Sequence, residues 1–380
     1  MVTWPEDWTI TTIEKVATIS TGRRNKKDSN PYGKYPLYVR SPIVERIDVA
    51  DYDCEAVLTA GDGEAGKVFH YVNGKFSAHQ RVYVINKFRN VIGRYFYYFF
   101  SRFFIDQVKR YTAKSTVDSV RKPMIANMLI AIPPLDEQIA IADTLSTFDL
   151  HLANLSELIA KHEGIRAGAL EDLLSGRTRL PGFRGEWRTT TIDDCAEILQ
   201  GGTPDTKNPA YWGGNIIWVT PSEVTKLQSM YIDKSERQIT QEGLKHSSAT
   251  IVPAGTVLLC SRATIGDVAI AAKPLTTNQG FKNLVCRKHV NNLFFAYLLM
   301  TLKKEMITLA AGTTFLELSK SNLKTIPVTL PPVDEQIAIA ETLSALDLNI
   351  SNLKAEHAKI SALRTAAIND LLTAKIRLPC

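Results

Sequence analysis

Gly61-x-x-x-x-Gly66-Lys67 has the spacing of a phosphate-cradling loop, in which backbone amides and a lysine grip a nucleotide. Such a loop continues with Ser or Thr to hold the metal, and here Val68 follows. The matching stretch later in the chain, ending at Gly266-Asp267, has no lysine. Nucleotide chemistry is therefore not expected. The five cysteines (Cys54, Cys195, Cys260, Cys286, Cys380) show no CxxC spacing, and the seven histidines form no pair at metal-ligand spacing. A zinc site is not expected either, and scattered thiols suit a reducing compartment.

Asn208-Pro209-Ala210-Tyr211 is one residue away from the Asn-Pro-Pro-Tyr loop with which adenine-amino methyltransferases hold an extruded base. Ala210 breaks that motif, and no Gly-rich strand–helix element for S-adenosylmethionine precedes it. What remains are polar, basic loops suited to gripping phosphates through Lys and Arg and reading base edges through Asn, Gln, Thr or Arg. Arg23, Arg24, Asn25, Lys26 and Lys27 follow Gly22. Thr203, Lys207, Asn208, Tyr211 and Trp212 follow Gly201-Gly202. His79, Gln80 and Arg81 lie on a loop entering a strand, as do Thr277, Asn278, Gln279 and Lys282. Lys114, in Lys114-Ser115-Thr116, lies in the stretch opposite Gly312-Thr313-Thr314, which supplies Thr313 and Thr314, and Lys67, Thr220, Ser222 and Arg262 complete the candidate set.

These loops recur because the chain is duplicated. Pro133-Pro134-Leu135-Asp136-Glu137-Gln138-Ile139-Ala140-Ile141-Ala142 returns 198 residues later as Pro331-Pro332-Val333-Asp334-Glu335-Gln336-Ile337-Ala338-Ile339-Ala340. The register holds to Leu180-Pro181 and Leu378-Pro379. Trp8, Ile13, Ala17, Ile19 and Gly22 match Trp187, Ile192, Ala196, Ile198 and Gly201. Val57-Leu58 and Gln80 match Val257-Leu258 and Gln279. The offset grows by about twenty after Gly201, placing an insertion near residues 203–250. The repeats stayed alike while the intervening segments diverged, as expected if the repeats meet one common partner and the other segments two different targets.

Both repeats read as long helices. Ile141, Leu145, Phe148, Leu152, Leu155 and Ile159 step by 4 and 3, as do Ile339, Leu343, Leu346, Ile350 and Leu353. That 3.5-residue period is a coiled-coil seam, and helices of about 40 residues span about 60 Å. The simplest packing is antiparallel, one against the other. His162 and His357 near the seam read as spacing residues. Pro133-Pro134 and Asp136-Glu137 suit a helix start, as do their repeats, and Gly176 suits a stop, where the second copy has Ala374.

The segments between are mixed. Residues 56–59, 67–71 and 81–85 read as strands, as do 257–260, 267–270 and 283–286, and helices are expected from Gly93 to about Lys109 and from Asn292 to about Ala310. The run Tyr95-Phe96-Tyr97-Tyr98-Phe99-Phe100 reads as core. The expected organisation is an α+β protein: globular parts at 1–132 and 182–330, long helices at 133–181 and 331–380, and an internal two-fold pseudo-repeat.

The net charge of +6 sits on the globular parts. Residues 1–132 carry 20 basic and 13 acidic side chains and residues 182–330 carry 16 and 12, whereas both repeats are slightly acidic. Basic excess confined to two globular parts suits contact with a polyanion there, and on charge alone it equally suits a solubility surface. No apolar run reaches the ~20 residues of a membrane span, and the start lacks a signal pattern, so a cytoplasmic location is expected.

Taken together, the sequence resembles the DNA-specificity subunits of type I restriction–modification systems over its whole length. The most specific marks are the duplicated Pro-Pro-(Leu/Val)-Asp-Glu-Gln-Ile helices with their Asp-Leu-Leu endings. Others are Gly201-Gly202-Thr203-Pro204, Asn208-Pro209-Ala210-Tyr211-Trp212-Gly213-Gly214, Trp218-Val219-Thr220-Pro221 and Thr277-Asn278-Gln279-Gly280-Phe281. The first globular part lacks the Gly-Gly-Thr-Pro and Tyr-Trp-Gly-Gly run. The resemblance implies two target-recognition domains, each reading half of a split, asymmetric site on double-stranded DNA. It implies helices that hold them apart and bind two adenine-methylating modification subunits, with motor-nuclease restriction subunits added. S-adenosylmethionine, ATP and Mg²⁺ would then belong to the partners, and this chain would be non-catalytic. Other readings are the specificity subunit of a fused enzyme that cuts beside its site, a catalytic methyltransferase, and a coiled-coil scaffold without a DNA role, which the basic globular parts disfavour.

Overall fold

The computed structural model describes residues 3–63, 66–111, 119–227, 229–310 and 316–379. The chain divides into two compact units. The first is Met1–Ser156 with Glu356–Cys380, and the second is Glu157–Ala355. Each unit therefore contains one globular part, the N-terminal half of the long helix that follows it, and the C-terminal half of the other long helix.

In the first unit the strands are β1 (Thr9–Thr12), β2 (Thr18–Thr21), β3 (Tyr35–Tyr38), β4 (Val44–Ile47), β5 (Tyr52–Ala60), β6 (Phe69–Ala78), β7 (Val82–Asn86) and β8 (Leu129–Ile132). Six of them form one sheet in the order β2-β7-β5-β6-β3-β4, antiparallel except for the β3–β6 pair, while β1 pairs with β8. The helix Gly93–Tyr111 supplies the core. Tyr95, Phe96, Phe99, Phe100 and Phe104 are fully buried, and the Phe100 and Phe104 rings stack at 4.4 Å. The aromatic run is core because its spacing puts these rings on one helical face.

The second unit repeats this plan with β9 (Arg188–Thr191), β10 (Ala196–Gln200), β11 (Trp212–Val219), β12 (Tyr231–Ile232), β13 (Arg237–Ile239), β14 (Val257–Cys260), β15 (Val268–Ala271), β16 (Thr276–Thr277), β17 (Phe281–Cys286) and β18 (Pro327–Leu330). Its sheets are β10-β17-β14-β15-β12, β13-β11-β16 and β18-β9. The parallel pair β11–β16 is the counterpart of β3–β6, so the strand continuous as β6 is interrupted here between β15 and β16. The insertion contributes the short helices Pro221–Val224 and Gln241–Lys245 and the strand β12. The helix expected from Asn292 to about Ala310 breaks at Leu302 into Asn292–Thr301 and Lys303–Leu309.

The long helices run Leu135–Leu174 and Val333–Leu372, 40 residues each. Within the first unit Arg364 pairs with Asp149 and His357 meets Ser156, and within the second Arg166 pairs with Asp347 and Lys354 with Glu163, so the two helices run antiparallel in both. The Arg364–Asp149 and Arg166–Asp347 bonds are one ion pair seen twice, 198 residues apart. Tyr98 Oη donates to Asp149 at 2.6 Å and Tyr297 Oη to Asp347 at 2.7 Å, while burial and the carboxylate raise both phenols far above their ordinary range. Leu155 and Ile350 are buried along the helices, and Phe148, Leu152, Ile159, Leu346 and Leu353 are half-buried. Ile141 and Leu145 enter the core of the first unit, joined there by Leu371 and Leu372. Ile339 and Leu343 enter that of the second, with Leu173 and Leu174. The seam residues nearest each helix start thus bind the helix to a globular part.

The repeated polar residues make the same joint twice. Gln138 accepts from the Ile92 amide at 2.9 Å and donates to the Pro133 carbonyl; Gln336 does the same with Asn291 and Pro331. Glu137, 3% exposed, accepts from Arg377 and from Trp8 Nε1 at 3.1 Å, and Glu335, fully buried, accepts from Arg179. In both copies the glutamine is held by the same two bonds and the glutamate by the arginine near the end of the other repeat.

Candidate nucleic-acid interface

Each unit brings three loops together at one corner of its sheet. In the first, the turn after β2 packs on the end of β6. The Arg23 and Arg24 amides both donate to the Ala78 carbonyl at 3.0 Å, and an ideal Cβ on Gly22 would lie 2.1 Å from that oxygen. In the second, the Gly202 amide donates to the Thr277 carbonyl at 2.9 Å, and a Cβ on Gly201 would lie 2.1 Å from the Asn278 carbonyl oxygen. Only glycine permits this approach. Across each of these approaches a glutamine ties the loops. Gln80 Nε2 donates to Asn25 Oδ1 at 2.9 Å, and Thr203 Oγ1 donates to Gln279 Oε1. The third loop follows β5 or β14: the Val120 amide donates to the Gly61 carbonyl, and the Leu318 amide to the Ser261 carbonyl.

The candidate residues divide by what they already hold. Arg23, Lys27 and Lys67 are exposed, and Lys26 is 75% exposed with Glu45 at 3.6 Å. Arg24 is engaged, its guanidinium gripping both Asp51 oxygens, one of them at 2.8 Å, and this bond holds the Asp51 carboxyl below the usual range. His79 is buried, and burial lowers its pKa, so a neutral ring accepts from the Arg81 amide at 3.0 Å. Gln80 and Arg81 are exposed at the loop tip. A recess of about 380 Å³ lies here, lined by Lys26, Val39, Arg40, Ser41, Gly63 and His79. Lys114, Thr313 and Thr314 lie outside the described residues.

In the second unit Lys207 and Gln279 are exposed, while Asn278 Oδ1 accepts from the Gly280 amide at 2.8 Å. Asn208 caps its own turn, accepting from the Ala210 amide at 3.1 Å. Thr220 is bound to Glu223 at 2.7 Å and to Ser222 at 3.1 Å. Thr277 is fully buried and accepts from Asn283, so it supports the loop from inside. Tyr211 stacks on His246 with rings 5.5 Å apart, and Trp212 lies against Arg237, whose guanidinium carbon is 3.5 Å from the ring centroid.

Four charged residues escaped the sequence reading. Asp62 accepts from Arg40 at 2.8 Å and from Arg81 at 2.7 Å; burial opposes its ionisation, but the two guanidiniums outweigh burial and keep its pKa low. Glu317 accepts from Arg262 at 2.6 Å and from Lys282 at 3.2 Å, and the Arg262 bond foremost keeps its carboxyl below the usual range. Arg237 lay unremarked in the insertion. No spacing in the sequence signalled them: Asp62 lies 22 residues from Arg40 and 19 from Arg81, and Glu317 lies 55 from Arg262 and 35 from Lys282.

Among the described residues no group of three or more His, Cys, Asp or Glu is placed to hold a metal ion, and no helix is long and apolar enough to cross a membrane. Burial pushes Cys195, Cys260 and Cys286 up to about 12, which makes them packing thiols, not nucleophiles.

The family described as "Type I restriction modification DNA specificity domain" matches residues 5–161 and 184–362, one match per half. The type I restriction enzyme MjaIX specificity subunit of Methanocaldococcus jannaschii is 41% identical over 174 residues, 45% of this chain and 40% of that protein. A putative type I restriction enzyme specificity subunit of the same organism, MjaX, is 25% identical over 98% of this chain and 94% of its own length. In fold, the crystal structure of a type I restriction–modification S subunit from M. genitalium superposes with a TM-score of 0.66 at 18% identity, covering 96% of each chain. Matched by that family model over both halves, the chain belongs to the type I restriction–modification DNA-specificity family.

Proposed function

We propose that this chain reads a split, asymmetric site on double-stranded DNA, one half through each loop corner. The domains doing so are residues 1–132 and 182–330. It carries two adenine-methylating modification subunits and, with them, motor-nuclease restriction subunits. The observation that carries the reading is the corner built twice, with the same glycine approach and glutamine tie but different exposed side chains. Phosphate-gripping cations sit beside side chains that can read base edges. Unlike side chains at two like corners suit two unlike half-sites.

Two equivalent grooves support two copies of one partner. One, of about 650 Å³, includes Thr9, Thr11, Pro133, Pro134 and Leu135; the other, of about 770 Å³, includes Arg188, Thr190, Pro331, Pro332 and Val333. The residues named correspond one to one under the repeat.

S-adenosylmethionine, ATP and Mg²⁺ belong to the partners. The residues here do not fit them: Asn208 is spent on its own turn and Lys67 is followed by Val68. Calorimetry on the isolated chain is expected to show binding of neither S-adenosylmethionine nor ATP. The decisive experiment co-expresses the chain with a modification subunit and sequences methylated sites. Exchanging residues 182–330 for a relative's should change one half of the site only. A change in both halves together would refute the modular reading.

A further inference from the structure

We propose that Glu317 is a positioning residue of the second unit's reading surface, which aims the Arg262 guanidinium at an acceptor pair on DNA. This rests on the DNA-reading role above. Glu317 divides its oxygens, Oε2 receiving Arg262 Nη2 at 2.6 Å and Oε1 receiving Lys282 Nζ at 3.2 Å. The Lys282 side chain is 2% exposed. A buried ammonium cannot be left unpaired, so the carboxylate cannot swing out to solvent. The backbone fixes it too, since Glu317 and Arg262 form a β-bridge and the Leu318 amide donates to Ser261. Arg262 is 41% exposed and has further N–H donors for a ligand. An arginine held this way loses less freedom on binding than a loose one.

The first unit shows that the arrangement is not incidental. There the carboxylate is Asp62, between Arg40 and Arg81, and Asp62 occupies the repeat position of Arg262. Charge is inverted at that position, yet one carboxylate still holds two cations at the same corner. A solvated surface pair imposes no such compensation.

The acceptor pair is either a guanine edge or a phosphate, and the test separates them. Complexes with the modification subunit are assayed on random-sequence DNA and for salt dependence of binding. Arg262→Ala should lower discrimination at one position of one half-site by about tenfold if it reads guanine. It should weaken all sites and flatten the salt slope if it grips phosphate. The double variant Lys282→Met with Glu317→Gln removes the buried charge together with its partner and leaves Arg262 without the carboxylate that holds it. It should reproduce most of the Arg262→Ala effect on that half-site only, keep the melting temperature, and add less than about twofold in the Arg262→Ala background. An unchanged double variant beside an affected Arg262→Ala would overturn the inference and leave the DNA-reading role standing. So would an equal further loss in the Arg262→Ala background, which marks a merely structural effect. An Arg262→Ala complex with parental behaviour would do so as well. Absence of any two-part methylated site in the parent would instead refute the DNA-reading role.

Discussion

Gly201→Ala tests the loop corner most directly. The added Cβ would stand 2.1 Å from the Asn278 carbonyl oxygen and 2.5 Å from that of Thr277. Carbon and carbonyl oxygen tolerate no less than about 3.3 Å, so the two loops must part by roughly 1 Å. That separation strains the Gly202–Thr277 bond at 2.9 Å and the Asn278–Val219 bond at 3.0 Å. Overpacking costs about 1–3 kcal/mol and a broken hydrogen bond about 1 kcal/mol, so about 2–4 kcal/mol is expected. For a unit of this size the melting temperature should fall by roughly 5–15 °C. Gly164→Ala is the control: a Cβ there meets nothing within 4 Å, and replacing a mid-helix glycine should stabilise by about 0.5–1 kcal/mol. Thermal denaturation gives the stability. Methylated-site sequencing should show relaxed specificity in the half read by residues 182–330 alone. A Gly201→Ala protein that melts within about 1 °C of its parent and keeps its specificity would refute the close-approach argument.

Ala374 stands in left-handed backbone at φ 53°, where its repeat counterpart is Gly176 at φ 72°; Ala374→Gly should stabilise by about 0.5–1 kcal/mol, read as a raised melting temperature. Replacing Arg23, Lys26 and Lys27 by Ala should flatten the salt dependence of DNA binding by about 0.9 for each phosphate that is no longer neutralised. Arg24→Ala should instead lower the melting temperature, because Arg24 is spent on Asp51. The Asp51 pKa is lowered on folding, so its contribution is present above the ordinary carboxylate range and lost as pH falls through the folded value; Asp51→Asn should shallow the acid limb of a stability–pH curve. Tyr71 is pushed up to about 12 by burial and Glu55, so its contribution holds below about pH 10 and is lost as pH rises through 12. Tyr71→Phe should weaken that alkaline limb, as followed by thermal melts.

The sequence by itself determined the architecture. A duplication at constant offset, a 3.5-residue period and Pro-Pro starts are local patterns, and local patterns survive without knowledge of the fold. Hence the 40-residue helices, the strands around Val57 and Val257, and the basic globular parts were legible. Tertiary structure decided which candidates are spent and which are offered. Arg24, His79, Asn208 and Thr277 looked like their neighbours in sequence, yet each is bound within its own unit. Asp51 is 27 residues from Arg24, and Glu317 is 55 from Arg262. No period or spacing links such partners, because strand pairing alone brings them together. The early seam residues serve two surfaces: Ile141 and Ile339 keep the heptad, and each also enters a globular core, beside Leu371 and Leu372 in the first unit and Leu173 and Leu174 in the second. Whether a cation is free to meet DNA depends on the carboxylate the fold sets beside it, and that neighbour is a property of three dimensions.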